Sequence, residues 1–196
     1  MNKCIVLFVE GDTEVEFYKS VIADAKNYRK NKMFDVNIEI RNVKGISGFK
    51  NNALRKFTKE IKVHYKDDYK FVIFLCSDTD VFEFSTKPPI NWNDVETSLY
   101  NAGASKVIQI KAKHSIEDWF LYDYNGILSF LRLPKKTKIS GGSGYEKLKI
   151  LFSKANKMYI KGMKSNGMIS KLDIDVISTK IYDLLKPLYD ELDVKK

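Results

Sequence analysis

Acidic side chains follow both of the two most apolar stretches of the chain. Glu10 comes directly after the run Cys4 to Val9, and Asp78 and Asp80 come just after the run Phe71 to Cys76. Carboxylates that converge repel one another and raise one another's pKa, unless a cation neutralises them. Oxygen ligands without a His or Cys partner suit a hard ion such as Mg²⁺ or Mn²⁺. These residues therefore predict a site for a divalent metal.

The spacing of these acids fits such a site. Asp78 and Asp80 are two residues apart, so in an extended segment both side chains point the same way and could share one ion or bridge two. Glu14 falls in the first turn of the next predicted helix, where the backbone amides favour its charged form. Gly11 allows a sharp turn beside Glu10 and leaves room for a phosphate. Alternatively, Glu14 only strengthens a helix start, and the acids after the second apolar run only cap a turn.

Continuous apolar runs are typical of strands that are covered on both faces. They predict strands over residues 4–9 and 71–76, and weaker patterns predict two more over Val36 to Val43 and Lys106 to Ile110. Helical spacing predicts helices from Asp12 or Thr13 to Ala25, Phe49 to Tyr65, Trp92 to Asn101 and Ser115 to Leu131. This alternation predicts an α/β fold with a mainly parallel sheet flanked by helices, in which chemistry gathers at the carboxyl ends of the strands.

The chain divides into two predicted parts. Residues 1–133 form the α/β core, and residues 134–196 form a basic loop and a C-terminal helical extension packed on the core. Within the extension, Tyr145 to Leu192 is predicted to be helical with a break around Lys161 to Gly167. The apolar pattern from Asn166 to Leu192 suits packing on the sheet and equally suits the surface of a homodimer.

Composition bounds the class of protein. The chain has 196 residues, of which 44% are hydrophobic and 30% charged, as in a single globular domain. No apolar run approaches the roughly 20 residues that span a bilayer, and the run at residues 4–9 favours a strand over a signal peptide. Cys4 and Cys76 lie in apolar runs and predict buried free thiols in a reducing, cytoplasmic compartment. The net charge of +9 suits nucleic acid as a partner, although a lysine-rich composition alone gives the same balance.

Two motifs, taken in order, resemble the Toprim domain that primases, topoisomerases and several nucleases share. The Toprim pattern is a strand ending in Glu-Gly, here Glu10-Gly11, and then a strand ending in Asp-x-Asp, here Asp78-Thr79-Asp80. Glu14 and the stretch from His114 to Leu121 are similar to elements of the OLD and RloB-like branch. The late element Tyr159-Ile160-Lys161-Gly162 resembles a Tyr-x-Lys element of the same branch. The resemblance spans about residues 4 to 162.

The sequence departs from these families at three points. Toprim enzymes often carry a third acid two residues after Asp-x-Asp, where this chain has Phe82, with Glu83 one position further on. OLD Toprim domains are accompanied by an ATPase domain that this sequence does not contain, so we expect any ATP gating to come from a separate ATPase partner. Topoisomerases need a tyrosine-bearing module for which this chain is too short.

The resemblance implies a Toprim-like (Rossmann-like) fold and metal-dependent hydrolysis of phosphodiester bonds with Mg²⁺ or Mn²⁺. The metal ligands that it implies are Glu10, Glu14, Asp78, Asp80 and Glu117. It implies catalytic roles for Glu10, Asp78, Asp80 and Lys161, of which Lys161 would neutralise charge on the phosphoryl group. It also implies a role in phage defence by abortive infection.

Several of these residues have a plainer interpretation. Lys161 could be a solvated lysine in a lysine-rich segment, and Glu117 could be a helix-start acid paired with the neighbourhood of Ser115. His114 could act on a leaving group or have a structural role. The loop from Lys135 to Gly144 could clamp a nucleic-acid backbone or be a solvated connector, and the loop from Lys44 to Lys50 is equally ambiguous.

Three functions remain open at this stage. The first is a nuclease that acts on DNA or RNA. The second is a ribonuclease with the same core that matures structured RNA precursors. The third is a catalytically silent Toprim subunit that binds nucleic acid and works with a separate ATPase. Phe82 in place of a third acid and the missing ATPase domain favour the third function. The presence of all five acids argues against it, because a dead site has no reason to gather them.

Overall fold

The protein is an α/β fold built on one parallel sheet. A computed structural model describes residues 2–29, 34–65, 68–80, 90–161 and 167–196, and the predictions concerning Phe82, Glu83 and Gly162 lie outside these residues. The strands are β1 (Asn2–Val9), β2 (Asn37–Asn42), β3 (Tyr69–Asp78) and β4 (Ala104–Ala112). They pair in the order β2-β1-β3-β4, and every pairing is parallel. The predicted fold class is therefore confirmed, with all four predicted strands present.

The register of the sheet brings the strand ends together. Val9 at the end of β1 pairs with Cys76 on β3 and with Asn42 on β2, and Asp78 at the end of β3 pairs with Ala112 on β4. Because all four strands run the same way, their carboxyl ends form one edge. Residues 4–9 of β1 are fully buried, as their unbroken apolar pattern predicted.

Helices cover both faces of the sheet. They are α1 (Asp12–Ala25), α2 (residues 49–65), α3 (Trp92–Asn101), α4 (Ile116–Phe120), α5 (Tyr124–Leu131), α6 (Gly144–Lys154), α7 (Ile174–Lys180) and α8 (Tyr182–Glu191). Within α2, the π-helical stretches Phe49–Ala53 and Phe57–Ile61 alternate with α-helical turns.

Each face of the sheet has its own apolar core. On one face α2 and α3 pack on the sheet through residues such as Phe49, Phe57 and Leu99. On the other face α1 and the helices after β4 form a larger core that includes Phe17 and Leu185. The helical C-terminal part therefore packs on the sheet, as predicted.

The predicted single helix from Ser115 to Leu131 is wrong. The segment divides into α4, a 3₁₀ turn over Leu121–Asp123, and α5. Asp123 has φ −104° and ψ 63°, and its side chain accepts a hydrogen bond from Gly126 N at 2.9 Å. This carboxylate begins a new helix at Tyr124 because it satisfies an amide that the interrupted helix leaves without a partner.

The predicted helix from Tyr145 is shorter than its apolar pattern suggested. It ends at Lys154, and Asn156 then takes the left-handed conformation with φ 54°. Lys157 N donates to the carbonyl of Phe152 at 2.8 Å, a common way to close a helix C-terminus. Residues 157–160 are not helical, and they lead back to the carboxyl edge of the sheet.

Cys4 and Cys76 are buried free thiols, as predicted. Burial raises the pKa of each thiol to about 12, so neither is reactive near neutral pH. Among the residues that the structure describes, no helix combines the length and the apolar character needed to cross a membrane.

Candidate functional site

Glu10 and Asp78 meet at the carboxyl edge of the sheet. Glu10 follows the last residue of β1, and Asp78 is the last residue of β3. A carboxylate oxygen of Glu10 accepts a hydrogen bond from the backbone N–H of Asp78 at 2.9 Å. The parallel register of β1 and β3 makes this contact possible, because the two strands end side by side. The Glu-Gly and Asp-x-Asp motifs, which are 68 residues apart along the chain, thus share one site.

The segment after β4 holds Asp78 from the other side. Asp78 Oδ1 accepts a hydrogen bond from the backbone N–H of Ile116, the first residue of α4, at 2.9 Å. This contact anchors the start of α4 and places the next residue, Glu117, beside the other acids. Asp78 is only 3% exposed, so the N–H of Ile116 replaces part of the solvation that burial removes from its carboxylate.

His114 supports the loop after β3 with its backbone. Its carbonyl accepts hydrogen bonds from Thr79 N and Asp80 N, both at 2.9 Å, and its own N–H donates to Thr79 Oγ1 at 2.9 Å. His114 has φ 64°, a left-handed conformation that is uncommon for residues other than glycine. These contacts favour the structural interpretation of His114.

Lys161 forms ion pairs with two of the predicted ligands. Its ammonium nitrogen lies 3.0 Å from Asp78 Oδ2 and 2.5 Å from Asp80 Oδ2. Burial alone would lower the pKa of Lys161, but the two carboxylates outweigh burial and raise the pKa above its ordinary value. The interpretation of Lys161 as a solvated lysine is therefore wrong.

Glu14 and Glu117 complete the group of acids and are also buried. Glu14 is 6% exposed and Glu117 is 1% exposed, and one oxygen of Glu117 accepts a hydrogen bond from the Tyr159 hydroxyl at 3.0 Å. The pKa of Glu14 is raised to about 7, mainly by burial and in smaller part by the nearby charges of Glu117 and Glu10. Glu117 does lie in the first turn of α4, but its carboxylate is paired with Tyr159 and not with the neighbourhood of Ser115.

The half-buried Glu10 and the buried Asp78 respond to burial in the same direction. Burial raises the pKa of Glu10 and of Asp78, and neighbouring carboxylates add to the rise, while Lys161 opposes it. Between the acids lies a cavity of about 10 Å³ that is lined in part by Glu10, Glu14 and Asp78. A cavity of this size has room for about one water-sized particle.

The chemistry of these donors suits a divalent metal, but their positions in this structure do not form a metal site. Four buried carboxylate oxygens of these acids have no hydrogen-bond partner among the described residues: Oε2 of Glu14, Oδ2 of Asp78, Oδ1 of Asp80 and Oε2 of Glu117. Of these, Asp78 Oδ2 is ion-paired with Lys161. Such oxygens are the ligands that hard cations prefer. Over the described part of the chain, however, no group of three or more His, Cys, Asp or Glu side chains is arranged to hold a metal ion. Lys161 supplies the positive charge in this arrangement.

Comparisons with family models, with curated proteins and with solved structures found no match to this chain. The resemblance to Toprim proteins therefore rests on the motifs alone.

Two contacts of this site differ in how far the sequence could have predicted them. The hydrogen bond from the backbone N–H of Ile116 could not be predicted, because a pattern of residue types carries no information about it. Tyr159 and Lys161 are two residues apart in a non-helical segment, a spacing that lets both side chains face the same way, toward Glu117 and Asp78 respectively. An extended segment here, with Lys161 directed at the acids, predicts that Tyr159 also faces them.

The two glycine-rich loops lie differently relative to the acids. Gly45 N donates to the carbonyl of Glu10 at 2.8 Å, so the Lys44 to Lys50 loop supports the backbone at the end of β1. The Lys135 to Gly144 loop is tied instead to the helices after β4. Its Lys138 carbonyl accepts a hydrogen bond from Lys154 at 2.8 Å, and its Thr137 carbonyl accepts one from Tyr124 at 2.7 Å.

Proposed function

We propose that this chain is a metal-dependent Toprim-type nuclease that hydrolyses phosphodiester bonds of DNA or RNA. One observation carries the proposal: carboxylates from the ends of β1 and β3 and from α1 and α4 converge at one site, where four of their oxygens are buried without a hydrogen-bond partner among the described residues. Burying several like charges is costly, so an arrangement of this kind is typical of functional sites.

In this proposal Glu10, Glu14, Asp78, Asp80 and Glu117 hold Mg²⁺ or Mn²⁺. A divalent ion bound there would activate water and stabilise charge on the phosphate. The chain's own residues prepare the site. The backbone N–H of Ile116 orients Asp78, and the Tyr159 hydroxyl orients Glu117. Lys161, once released from its carboxylates, places an ammonium where negative charge develops on the phosphoryl group.

The wider setting of this activity rests on the resemblance to OLD and RloB-like proteins. It suggests a cytoplasmic protein that acts in phage defence by abortive infection, with nucleic acid as substrate. A separate ATPase and a second copy of the chain are further partners within the same proposal.

A cleavage assay tests the proposal directly. Plasmid, single-stranded DNA and total transfer RNA are incubated with the protein in EDTA, Mg²⁺ or Mn²⁺. We expect cleavage of at least one substrate with metal and none in EDTA. Asp78→Asn should lower cleavage by at least about a hundredfold, because it alters a ligand that several contacts hold in place. Asp190→Asn is the matched control, since Asp190 lies on the surface of α8 and within the described residues its carboxylate pairs with Lys186 alone.

Circular dichroism of Asp78→Asn separates loss of the site from loss of the fold. Full metal-dependent cleavage by a folded Asp78→Asn protein would exclude this site as the active site. A structured RNA precursor is added as a fourth substrate, and cleavage of it alone would favour the RNA-maturation ribonuclease over the defence nuclease.

A silent nucleic-acid-binding subunit is the second candidate, and the ion pairs of Lys161 favour it. Lys161 occupies Asp78 and Asp80, so the acids as placed are already neutralised in part without metal. Salt-sensitive binding of nucleic acid without cleavage in any metal would support this candidate. Cleavage that appears only after an ATPase is added would support the gated form of the nuclease.

A further inference from the structure

Positive charge is concentrated in residues 132–157, which run from the end of α5 through the basic loop to just past α6. This cationic segment holds eight lysines and arginines and one acid, so it carries seven of the nine net positive charges of the chain. Its acid, Glu146, caps α6 by accepting hydrogen bonds from Gly142 N at 3.0 Å and Ser143 N at 3.2 Å. The charge of the segment is therefore not a general property of a lysine-rich chain.

The end of the segment forms an open groove with a cationic lining. The groove has a volume of about 780 Å³, and its cations are Arg132, Lys154, Lys157 and Lys171. No acid lines it, and among the described residues none of these four cations forms an ion pair with Asp or Glu. The half-buried Phe130 also lines it, with Lys157 Nζ 4.8 Å from the centre of its ring. The groove, called the cationic groove below, thus carries positive charge that no acid among the described residues neutralises.

The partial negative charges at helix C-termini offset only part of this positive charge. Both α5 and α6 end at the cationic groove, where their last carbonyls attract cations. Each helix C-terminus is equivalent to about half a negative charge, so the two together offset about one of the four cations. About three positive charges remain for a ligand, which is more than the local fold requires.

Helix α6 connects the cationic groove to the acids. At its start, Gly144 packs against α4 so closely that a Cβ there would lie 2.4 Å from Asp118 N and 2.7 Å from the carbonyl carbon of Glu117. At its end, Lys154 lines the groove. The 11 residues of α6 span about 16 Å, so the groove lies roughly that far from Glu117. In a duplex this distance corresponds to about five nucleotides along one strand.

We propose that the cationic groove binds the phosphate backbone of a nucleic acid. The choice of this polyanion rests on the proposed function, because a substrate cut at the acids would extend along α6 and reach the groove about five nucleotides away. Lysine and arginine contacts to phosphates position a nucleic acid without reading its sequence.

Removing three of the cations tests the proposal. The variant Lys154→Gln/Lys157→Gln/Lys171→Gln keeps the length and polarity of the side chains, and all three residues are exposed. Binding of a fluorescent oligonucleotide is followed by anisotropy in EDTA over a range of salt concentrations. We expect the slope of log affinity against log salt to fall in magnitude by about two to three, and the affinity at low salt to fall at least about tenfold.

A charge-matched control separates a local effect from a general one. The variant Lys19→Gln/Lys59→Gln/Lys70→Gln removes the same net charge from exposed lysines elsewhere on the protein and should leave the salt slope nearly unchanged. Both variants should unfold within about 2 °C of the wild type, as is usual for exposed substitutions.

The proposal is overturned if the groove variant keeps the wild-type slope, or if the control variant loses as much as the groove variant. It is also overturned if the groove variant binds phosphatidylserine vesicles more weakly than the wild type does but binds the oligonucleotide equally well. Because the assay contains EDTA and requires no cleavage, a protein that binds through the groove but never cuts would refute the nuclease proposal alone.

Discussion

The acids at the carboxyl edge and the cationic groove handle charge in opposite ways. At the edge, Glu14, Asp78 and Glu117 are each less than a tenth exposed, and one lysine partly neutralises the group. In the groove, Arg132 and Lys154 are exposed and have no acidic partner among the described residues. Buried like charges lower the stability of the fold, whereas exposed ones cost little.

This difference indicates what each region requires. The acids keep their positions at the expense of stability, so we expect a cation to stabilise the folded protein when it binds them. The groove needs no ligand for folding, so its cations can be removed without harm to the fold. Changes at the edge should therefore alter stability strongly, and changes in the groove should alter binding alone.

The largest effect is expected for Glu14→Gln. The pKa of Glu14 rises from 4.5 to about 7 on folding, so between these values the native state holds a proton that the unfolded state releases. Stability from this group is therefore present at low pH and is lost as pH rises through about 7. In EDTA, Glu14→Gln should be more stable than the wild type by at most about 3 kcal/mol at pH 8, and the difference should shrink toward pH 5.

Urea unfolding at the two pH values measures this effect. Glu60→Gln is the control, since Glu60 is an exposed acid on α2, and its effect should stay within about 0.5 kcal/mol. A Glu14→Gln protein that gains no stability at pH 8 would show that burial of this carboxyl is not costly.

A somewhat smaller effect is expected for Lys161→Met. Removing the ammonium leaves Asp78 and Asp80 without their cationic partner, which should cost about 2 kcal/mol in EDTA. The upper end of the usual range is not expected, because the side chain of Lys161 is 33% exposed and partly screened by solvent. Millimolar Mg²⁺ should then raise the melting temperature of Lys161→Met more than that of the wild type, since the metal no longer competes with the lysine.

Thermal unfolding with and without Mg²⁺ tests this competition. Lys70→Met, at an exposed site at the start of β3, should behave as the wild type does. Equal stabilisation of Lys161→Met and the wild type by Mg²⁺ would mean that lysine and metal do not share these oxygens.

Tyr159→Phe should have a smaller effect, about 1 to 2 kcal/mol of lost stability, because the carboxylate of Glu117 loses its only hydrogen bond among the described residues while it stays buried. Tyr145→Phe is the matched control, since no hydrogen bond of the Tyr145 hydroxyl occurs within the described residues. Urea unfolding of the two variants should separate them, and equal losses would remove Tyr159 from the role of orienting Glu117.

The same contrast explains what could be predicted from the sequence. β1 and β3 were predictable because six consecutive apolar residues have no stable alternative to burial, and parallel pairing then fixes where Glu10 and Asp78 meet. The ion pairs of Lys161 were not predictable, because the residue lies 81 positions from Asp80 and its path depends on where α6 ends. That end did have a local signal, since asparagine readily adopts the left-handed conformation found at Asn156.

The cationic groove was only half visible in the sequence. The charge of residues 132–157 can be counted directly, and the basic loop was identified as a candidate clamp. The groove itself depends on two helix ends meeting beside Lys171, which comes from a later segment. Tertiary packing makes this arrangement, and residue patterns carry no record of it.

The smallest effect is expected in a comparison that joins the two regions, and it applies only if the protein is a nuclease. A substrate bound at the acids reaches the cationic groove about five nucleotides away. Lys154→Gln/Lys157→Gln/Lys171→Gln should therefore lower kcat/KM about tenfold on duplexes that extend about ten nucleotides or more on both sides of the cut. With flanks of about four nucleotides or fewer, it should match the wild type. An equal loss on short and long substrates would mean either that the groove cations contact the substrate at the acids or that their removal disturbs the fold. The two regions would then not act separately.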